Sequence, residues 1–126
     1  MALKKVLTIA GSDTSAGAGM QADLKTFQEH NTYGMVALAA VVTMDPKTWA
    51  HDVTPLPLDL LDKQLNTAIS IGPDAIKTGM LGSEEVIKRA RQAYDESGSE
   101  IFVVDPVMVC KGEDEVLNPG DRKSVV

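Results

Sequence analysis

The sequence predicts an α/β fold in which a mostly parallel sheet carries helices on its faces. Two observations predict this fold. Short apolar runs without polar alternation, which are typical of strands buried on both faces, recur along the chain. Segments with apolar residues at helical spacing separate these runs. The resulting β-α-β-α-β-α-β order favours parallel strands joined by right-handed crossovers.

A strand, a glycine-rich loop and a helix open the chain. Val6–Ala10 is a short β-rich run, and Gly11–Gly19 forms the loop that follows it. Met20, Leu24 and Phe27 recur at i, i+4 and i+7. This spacing predicts one buried helix face, with the helix ending near residues 30–31.

The middle of the chain is predicted to hold a second strand and a second helix. The apolar, partly β-branched run Tyr33–Thr43 indicates a buried strand. Residues 45–57 contain three prolines, a tryptophan and a histidine, and we expect an irregular connection there. Apolar residues at helical spacing over 58–68 predict a helix, which Gly72-Pro73 ends.

A third helix lies between two further short strands. Residues 74–77 are predicted to form the first of these strands and residues 101–104 the second. Ser83 is the expected N-cap, and Glu84 and Glu85 follow it at the positive end of the helix dipole. Gly98 is the expected end of this helix.

Composition excludes several classes of protein. The 126 residues include 18 acidic and 12 basic side chains, and a net charge of −6 argues against binding to nucleic acid. The longest apolar run, Met35–Val42, is far shorter than the roughly 20 residues that span a bilayer. The single cysteine, Cys110, excludes an internal disulfide, and no Cys/His cluster suggests zinc. We therefore expect a cytoplasmic protein with no nucleic-acid or membrane partner.

The chemistry is expected at one edge of the sheet. In open α/β sheets, ligands bind outside the carboxyl ends of the strands. The segments that follow the four predicted strands are 11–19, 44–46, 78–80 and 105–112. These segments hold clustered glycines, the cysteine and a strand-ending aspartate. They are therefore expected to meet at one edge.

One motif favours a different class of protein, a nicotinamide-dependent enzyme. Residues 17–22, Gly-Ala-Gly-Met-Gln-Ala, match the dinucleotide pattern G-x-G-x-x-A. In that motif the first glycine follows the strand almost directly, whereas Gly17 lies well beyond the predicted strand end. Asp45 also lies further along than the usual distance of about 20 residues for a ribose-binding carboxylate. The match is weak, and no P-loop motif is present.

Three strings identify a family resemblance. IAGSDTSAGAGMQADLKTF (9–27), AIKTGML (75–81) and VVDPVMVCKG (103–112) resemble, in this order, the ribokinase-like vitamin kinases. These are the hydroxymethylpyrimidine kinases of thiamine biosynthesis and the related pyridoxal kinases of Gram-positive bacteria, which this chain resembles most closely. The resemblance covers residues 3–119. It implies a truncated, ribokinase-like three-layer α/β/α sandwich, with residues 1–120 forming the N-terminal half of one kinase domain.

The resemblance also implies an activity. The family transfers the γ-phosphoryl group of ATP, with Mg²⁺, to the 5′-hydroxymethyl group of pyridoxal or pyridoxine. The alternatives are the same reaction on hydroxymethylpyrimidine and a non-catalytic, vitamin-binding fragment or paralogue. The family's catalytic base and adenine-binding loops have no counterpart in these residues, so the chain alone is expected to be inactive. The full-length family member is expected to be a homodimer.

Five residues are implied to bind the substrate. Gly11 and Ala18 belong to the region that lines the vitamin pocket in the family, and Met80 and Val107 match its apolar walls. Met44 stands where the pyrimidine kinases carry a glutamine that can pair with an aminopyrimidine. A thioether instead packs against a methylated pyridine ring. For each of these residues, the alternative is an ordinary turn or core role.

Two further residues are implied to take part in chemistry. Asp105 would hold Mg²⁺ directly or through water, although it could instead cap the next turn. Cys110 lies in a segment that resembles the family's lid. Its thiol could add to the aldehyde of pyridoxal, or it could only contact the substrate.

The last six residues are expected to be a non-native tail. Residues 121–126, Asp-Arg-Lys-Ser-Val-Val, have no counterpart in the family pattern. They match one reading frame of a widely used sequencing adapter.

Overall fold

The computed structural model describes residues 2–107, and this part of the chain forms five strands and three helices. The strands are β1 (Lys5–Asp13), β2 (Tyr33–Met44), β3 (His51–Pro55), β4 (Ala75–Thr78) and β5 (Ile101–Val104). The helices are α1 (Gly19–Glu29), α2 (Leu58–Ile71) and α3 (Glu84–Ser97). The three predicted helices and the four predicted strands are confirmed.

The strands form one sheet in the order β3-β2-β1-β4-β5. β1 pairs in parallel with β2 and with β4, and β5 pairs in parallel with β4. The chain moves one way across the sheet from β1 to β2 and the other way from β4 to β5, so right-handed crossovers put their helices on opposite faces. Accordingly, α1 packs on β1 and β2, whereas α2 and α3 share the main core cluster on the other face. The predicted three-layer α/β fold is confirmed.

The main core lies between the sheet and the pair α2–α3. Leu7, Ile9 and Ile76 from the strands and Leu61 from α2 are almost completely buried. Burying a side chain of this size stabilises the fold by about 1.5–3 kcal/mol. Over residues 2–107, no helix is long and apolar enough to cross a membrane.

The ends of α2 and α3 follow the sequence signals. The Ser83 Oγ accepts a hydrogen bond from the Val86 N–H at 3.3 Å, as expected of an N-cap. Gly72 and Gly98 end the two helices with φ of 87° and 70°. A side chain is disfavoured in this left-handed conformation, which explains why glycine ends both helices.

The prediction of an irregular connection over residues 45–57 is wrong for His51–Pro55. These residues form β3, which pairs antiparallel with residues 40–44 of β2. The prolines do not prevent this pairing. Pro46 lies in the turn, Pro55 ends an edge strand and Pro57 is the N-cap of α2.

The prediction that β1 ends at Ala10 is also wrong, because the strand continues to Asp13. A register shift between Ala10 and Gly11 lets the last three residues stay paired with β2, up to Asp13 opposite Val42. Such a bulge bends the strand without ending it. The predicted glycine-rich loop is therefore shortened to residues 14–18.

Candidate functional site

The carboxyl ends of β1, β2, β4 and β5 lie at one edge of the sheet, as predicted, because these four strands are parallel. We call this edge, with the segments that follow each strand, the carboxyl edge. Its centre lies between β1 and β4, where the crossover helices change from one face to the other. In open α/β sheets, ligands bind at such a switch point.

The loop after β1 is held in place by the carboxylate of Asp13. This side chain is only 7% exposed. It accepts hydrogen bonds from the N–H and Oγ of Ser15, at 2.9 and 2.7 Å, and from the N–H of Ala18, at 2.9 Å. On the other side of the loop, the Thr14 Oγ1 donates to the Val42 carbonyl at 3.0 Å. Ala18, a predicted pocket residue, is thereby fixed next to the end of β1.

The first residue of α1 must be glycine. Gly19 has a φ of +64°, and a Cβ built there would lie 2.7 Å from the carbonyl oxygen of Gly11. Only a residue without a side chain allows the helix to begin this close to the strand. The helix N-terminus is therefore held directly against the carboxyl edge.

Gly11 and Met80, two of the predicted pocket residues, lie side by side. A Cβ at Gly11 would be 3.3 Å from the Cε of Met80. The preceding residue, Gly79, donates its N–H to the Ile9 carbonyl at 2.8 Å and passes close to Ala10. The segment after β4 therefore crosses the end of β1, with a half-buried thioether over a glycine backbone.

Met44, which the family resemblance predicts to separate the two substrate classes, is the last residue of β2 and pairs with His51. It is half-buried and lies two residues beyond Val42, which pairs with the end of β1. The turn that follows it is held by the Asp45 carboxylate, which accepts from the N–H groups of Lys47 and Thr48 at 2.8 and 2.9 Å. These bonds, that from Thr48 most strongly, lower the pKa of the Asp45 carboxyl from its ordinary value.

Asp105 and Val107 lie at the carboxyl end of β5. The Asp105 N–H donates to the Thr78 carbonyl at 3.2 Å, and the Val107 N–H donates to the Asp105 carbonyl at 2.8 Å. Asp105 is exposed, whereas Val107 is half-buried. The backbone at Asp105 is therefore joined to β4 two residues before Met80.

An ion pair that the sequence did not reveal lies behind this edge. The Lys77 ammonium is 2.9 Å from the Asp23 carboxylate, and the Thr8 Oγ1 donates to the same carboxylate at 2.6 Å. The three groups join β4, α1 and β1. Their separation of up to 69 positions along the chain explains why no local spacing predicts the pair.

The structure brings together Gly11, Ala18 and Met80 around the end of β1. It places Met44 at the end of β2, next to β1, and Asp105 and Val107 after the end of β5, two strands away from β1. The sequence did not reveal that the Asp13 carboxylate holds the loop of residues 14–18. Cys110 and residues 121–126 lie outside the described residues.

Comparisons with known proteins place this arrangement among vitamin kinases. A family model for phosphomethylpyrimidine kinase matches residues 13–126. The pyridoxal kinase of Staphylococcus aureus, solved with AMP-PCP and pyridoxal, is 71% identical with a TM-score of 0.92. That match covers 98% of this chain and 44% of the other.

Two relatives from Bacillus subtilis allow a direct contrast. Its pyridoxine kinase is 54% identical over 94% of this chain and 45% of its own length. Its hydroxymethylpyrimidine/phosphomethylpyrimidine kinase is 45% identical over 93% of this chain and 43% of its own length. The chain spans less than half the length of each of these two relatives.

Proposed function

The chain belongs to the phosphomethylpyrimidine kinase family, as the resemblance predicted, and we propose that it forms part of an ATP-dependent kinase for pyridoxal or pyridoxine. The phosphoryl group would pass from ATP to the 5′-hydroxymethyl group of the vitamin. The observation that carries this proposal is the contrast in Bacillus subtilis, where the pyridoxine kinase is 54% and the pyrimidine kinase 45% identical. The Staphylococcus aureus relative, solved with pyridoxal and an ATP analogue, supports the same substrates.

The carboxyl edge suits a methylated pyridine ring. Met44 and Met80 offer polarizable thioethers, which pack well against aromatic rings. Gly11 leaves room for the Met80 thioether to lie close to the strand end, and Ala18 adds only a methyl group at the start of α1. In this proposal these residues, together with Val107, bind and orient the vitamin, so that its hydroxymethyl group faces the phosphate donor.

Asp105 fits the role of a magnesium ligand. Mg²⁺ usually binds one or two carboxylates, several waters and substrate phosphates. An exposed carboxylate at a strand end suits this chemistry, and it does not need a dedicated cage. Within residues 2–107 no group of three or more ligand side chains is found. When bound, Mg²⁺ would neutralise charge on the phosphates.

Cys110 is proposed as a lid residue that captures the aldehyde of pyridoxal. The sulfur would bond to the aldehyde carbon as the C=O π bond breaks, and the proton lost by the thiol would pass to the oxygen to give a hemithioacetal. Pyridoxine carries an alcohol at that position and cannot react in this way. Cys110→Ala should therefore lower kcat/KM for pyridoxal more than for pyridoxine, and equal losses would contradict covalent capture.

A second candidate function is the phosphorylation of hydroxymethylpyrimidine. The name of the matching family model and the 45% identity to the Bacillus subtilis pyrimidine kinase favour it. Met44 argues against it, because a thioether cannot pair with an aminopyrimidine as an amide does.

The proposal is tested with a kinase chimera, in which this chain is joined to the part of Staphylococcus aureus pyridoxal kinase that lies outside the match. The chimera should phosphorylate pyridoxal with ATP, with a higher kcat/KM than for hydroxymethylpyrimidine. The isolated chain should show no turnover above background. A chimera that folds but prefers the pyrimidine would contradict the proposal. We further propose that the assembled enzyme is cytoplasmic and that it is a homodimer. Its elution volume in size-exclusion chromatography would test the oligomeric state.

A further inference from the structure

The helix α1 forms one wall of the proposed vitamin pocket, yet it is only lightly packed on the sheet. None of its 11 residues is buried. The helix lies closest to β2 at Gly34, where a Cβ would be 2.8 Å from the Cδ2 of Leu24 and 3.0 Å from that of Phe27. This apolar contact holds the helix from its middle onwards. The start of the helix, which faces the pocket, must be fixed by other contacts.

The Asp23 carboxylate supplies such a contact, because it joins α1 to two strands at once. It accepts a hydrogen bond from the Thr8 Oγ1 of β1 at 2.6 Å, and its two oxygens lie 2.9 and 3.0 Å from the Lys77 ammonium of β4. Thr8 is fully buried, and the side chains of Asp23 and Lys77 are only 16% and 25% exposed. Hydrogen bonds between ionised groups are strong, and burial of this degree reduces their screening by salt.

The ion pair also lies next to both walls of the pocket. A Cβ at Gly79 would be 3.4 Å from the Nζ of Lys77, so the ammonium lies beside the segment that leads to Met80. On the other wall, Asp23 follows Gly19 by about one helical turn. The pair therefore connects the wall that carries Met80 with the wall at the start of α1.

We propose that Asp23 and Lys77 are positioning residues for the vitamin, which fix the distance between the start of α1 and Met80. This inference rests on the proposed function. The two side chains act through the pocket walls and do not touch the vitamin. A displacement of about 1 Å at a binding group can cost about a hundredfold in rate. A pair that only stabilised the fold would leave pyridoxal binding unchanged at temperatures where the protein stays folded.

The experiment measures steady-state kinetics of the kinase chimera well below its Tm. Asp23→Asn keeps the shape of the side chain and removes its charge, and Lys77→Met keeps the length and removes the ammonium. Each substitution should raise KM for pyridoxal by about tenfold and change KM for ATP by less than about twofold. The double variant should resemble the single variants, because each residue acts through the other.

Two further variants separate positioning from general stability. Asp62→Asn removes the ion pair of Asp62 with Arg89, 3.2 Å apart, which joins α2 to α3 on the other face of the sheet. This matched control should leave KM for pyridoxal unchanged. Thr8→Val removes one hydrogen bond and keeps the ion pair, so it should raise KM by about threefold. It tests the proposal even if a charge variant does not fold, which circular dichroism would reveal.

A second measurement does not depend on turnover of pyridoxal. Hydrogen exchange of the chimera without ligand should become faster in Asp23→Asn at residues 22–26 of α1 and at residues 77–79, because both walls are released together. Asp62→Asn should not change exchange in either segment. A parent chimera that does not phosphorylate pyridoxal would contradict the proposed function, and hydrogen exchange would then decide whether the pair couples the two walls.

Four results would overturn the inference. The first is an Asp23→Asn variant with a lower Tm and an unchanged KM for pyridoxal, which would make the pair a stabilising contact only. The second is a KM for ATP that rises as much as that for pyridoxal. The third is a double variant in which the two effects multiply. The last is hydrogen exchange that changes in one wall alone or in neither.

Discussion

Gly19 and Gly98 form a natural pair for separating backbone strain from steric clash. Both have positive φ, 64° and 70°, but a Cβ at Gly19 would meet β1 at 2.7 Å, whereas nothing lies within 4 Å at Gly98. Gly98→Ala should cost about 1 kcal/mol from backbone strain alone. Gly19→Ala should cost at least about 2 kcal/mol more, because α1 must move away from the carboxyl edge.

Urea unfolding of the kinase chimera measures both costs. Gly19→Ala should also raise KM for pyridoxal, whereas Gly98→Ala should not, since only Gly19 lies at the proposed vitamin pocket. Equal destabilisation by the two substitutions would show that a Cβ at Gly19 does not clash with the Gly11 carbonyl, and would contradict this prediction.

Met44 is the residue that we propose to decide between pyridine and pyrimidine substrates. Met44→Gln restores an amide that can pair with an aminopyrimidine, and it removes the thioether from the ring. The ratio of kcat/KM for pyridoxal to that for hydroxymethylpyrimidine should fall about tenfold in the chimera, equivalent to about 1.4 kcal/mol. Thr43→Gln, at the exposed neighbouring position, is the control. An unchanged ratio in Met44→Gln would make this residue an ordinary strand end.

The stability of the β2–β3 hairpin should depend on pH through the Asp45 carboxyl. The Thr48 and Lys47 N–H groups lower the pKa of this carboxyl in the folded state. The carboxylate therefore stabilises the fold above its unfolded pKa of about 3.9, and the stabilisation is lost as pH falls through the lower folded value. The Tm of the parent chain should exceed that of Asp45→Asn at pH 7, and the difference should shrink towards pH 3.

Asp52→Asn is the matched control for this prediction, because it removes the same charge from the same hairpin. A Tm difference that stays constant with pH for Asp45→Asn would contradict the role assigned to its hydrogen bonds. So would a difference that shrinks equally for Asp52→Asn.

Elements with local signals could be predicted, and those set by tertiary pairing could not. The helix of residues 84–97 has its N-cap at Ser83 and its end at Gly98, both visible in the sequence. β3 was missed because the three prolines within residues 45–57 argue against a strand until the edge position of β3 is known. The extension of β1 to Asp13 depends on a register shift with β2, which no residue in Gly11-Ser12-Asp13 signals.

The candidate site shows the same division. The parallel order of strands predicted one edge that holds Gly11, Met44, Met80 and Asp105. The close approach of Met80 to Gly11 is tertiary, and the family resemblance implied only that both residues line the vitamin pocket. The ion pair of Asp23 with Lys77 escaped altogether, because partners 54 residues apart leave no pattern in the sequence.

For the molecule as a whole, the central claim is that the carboxyl edge of this chain binds the vitamin. Hydrogen exchange of the kinase chimera, with and without pyridoxal, tests this most directly. Pyridoxal should slow exchange in residues 11–19, 44–45 and 79–81. It should leave exchange unchanged at residues 30–33 and 72–75, at the opposite edge, where the parallel strands begin. Protection confined to that opposite edge, or no protection in residues 2–107 while pyridoxal is bound and turned over, would contradict the account.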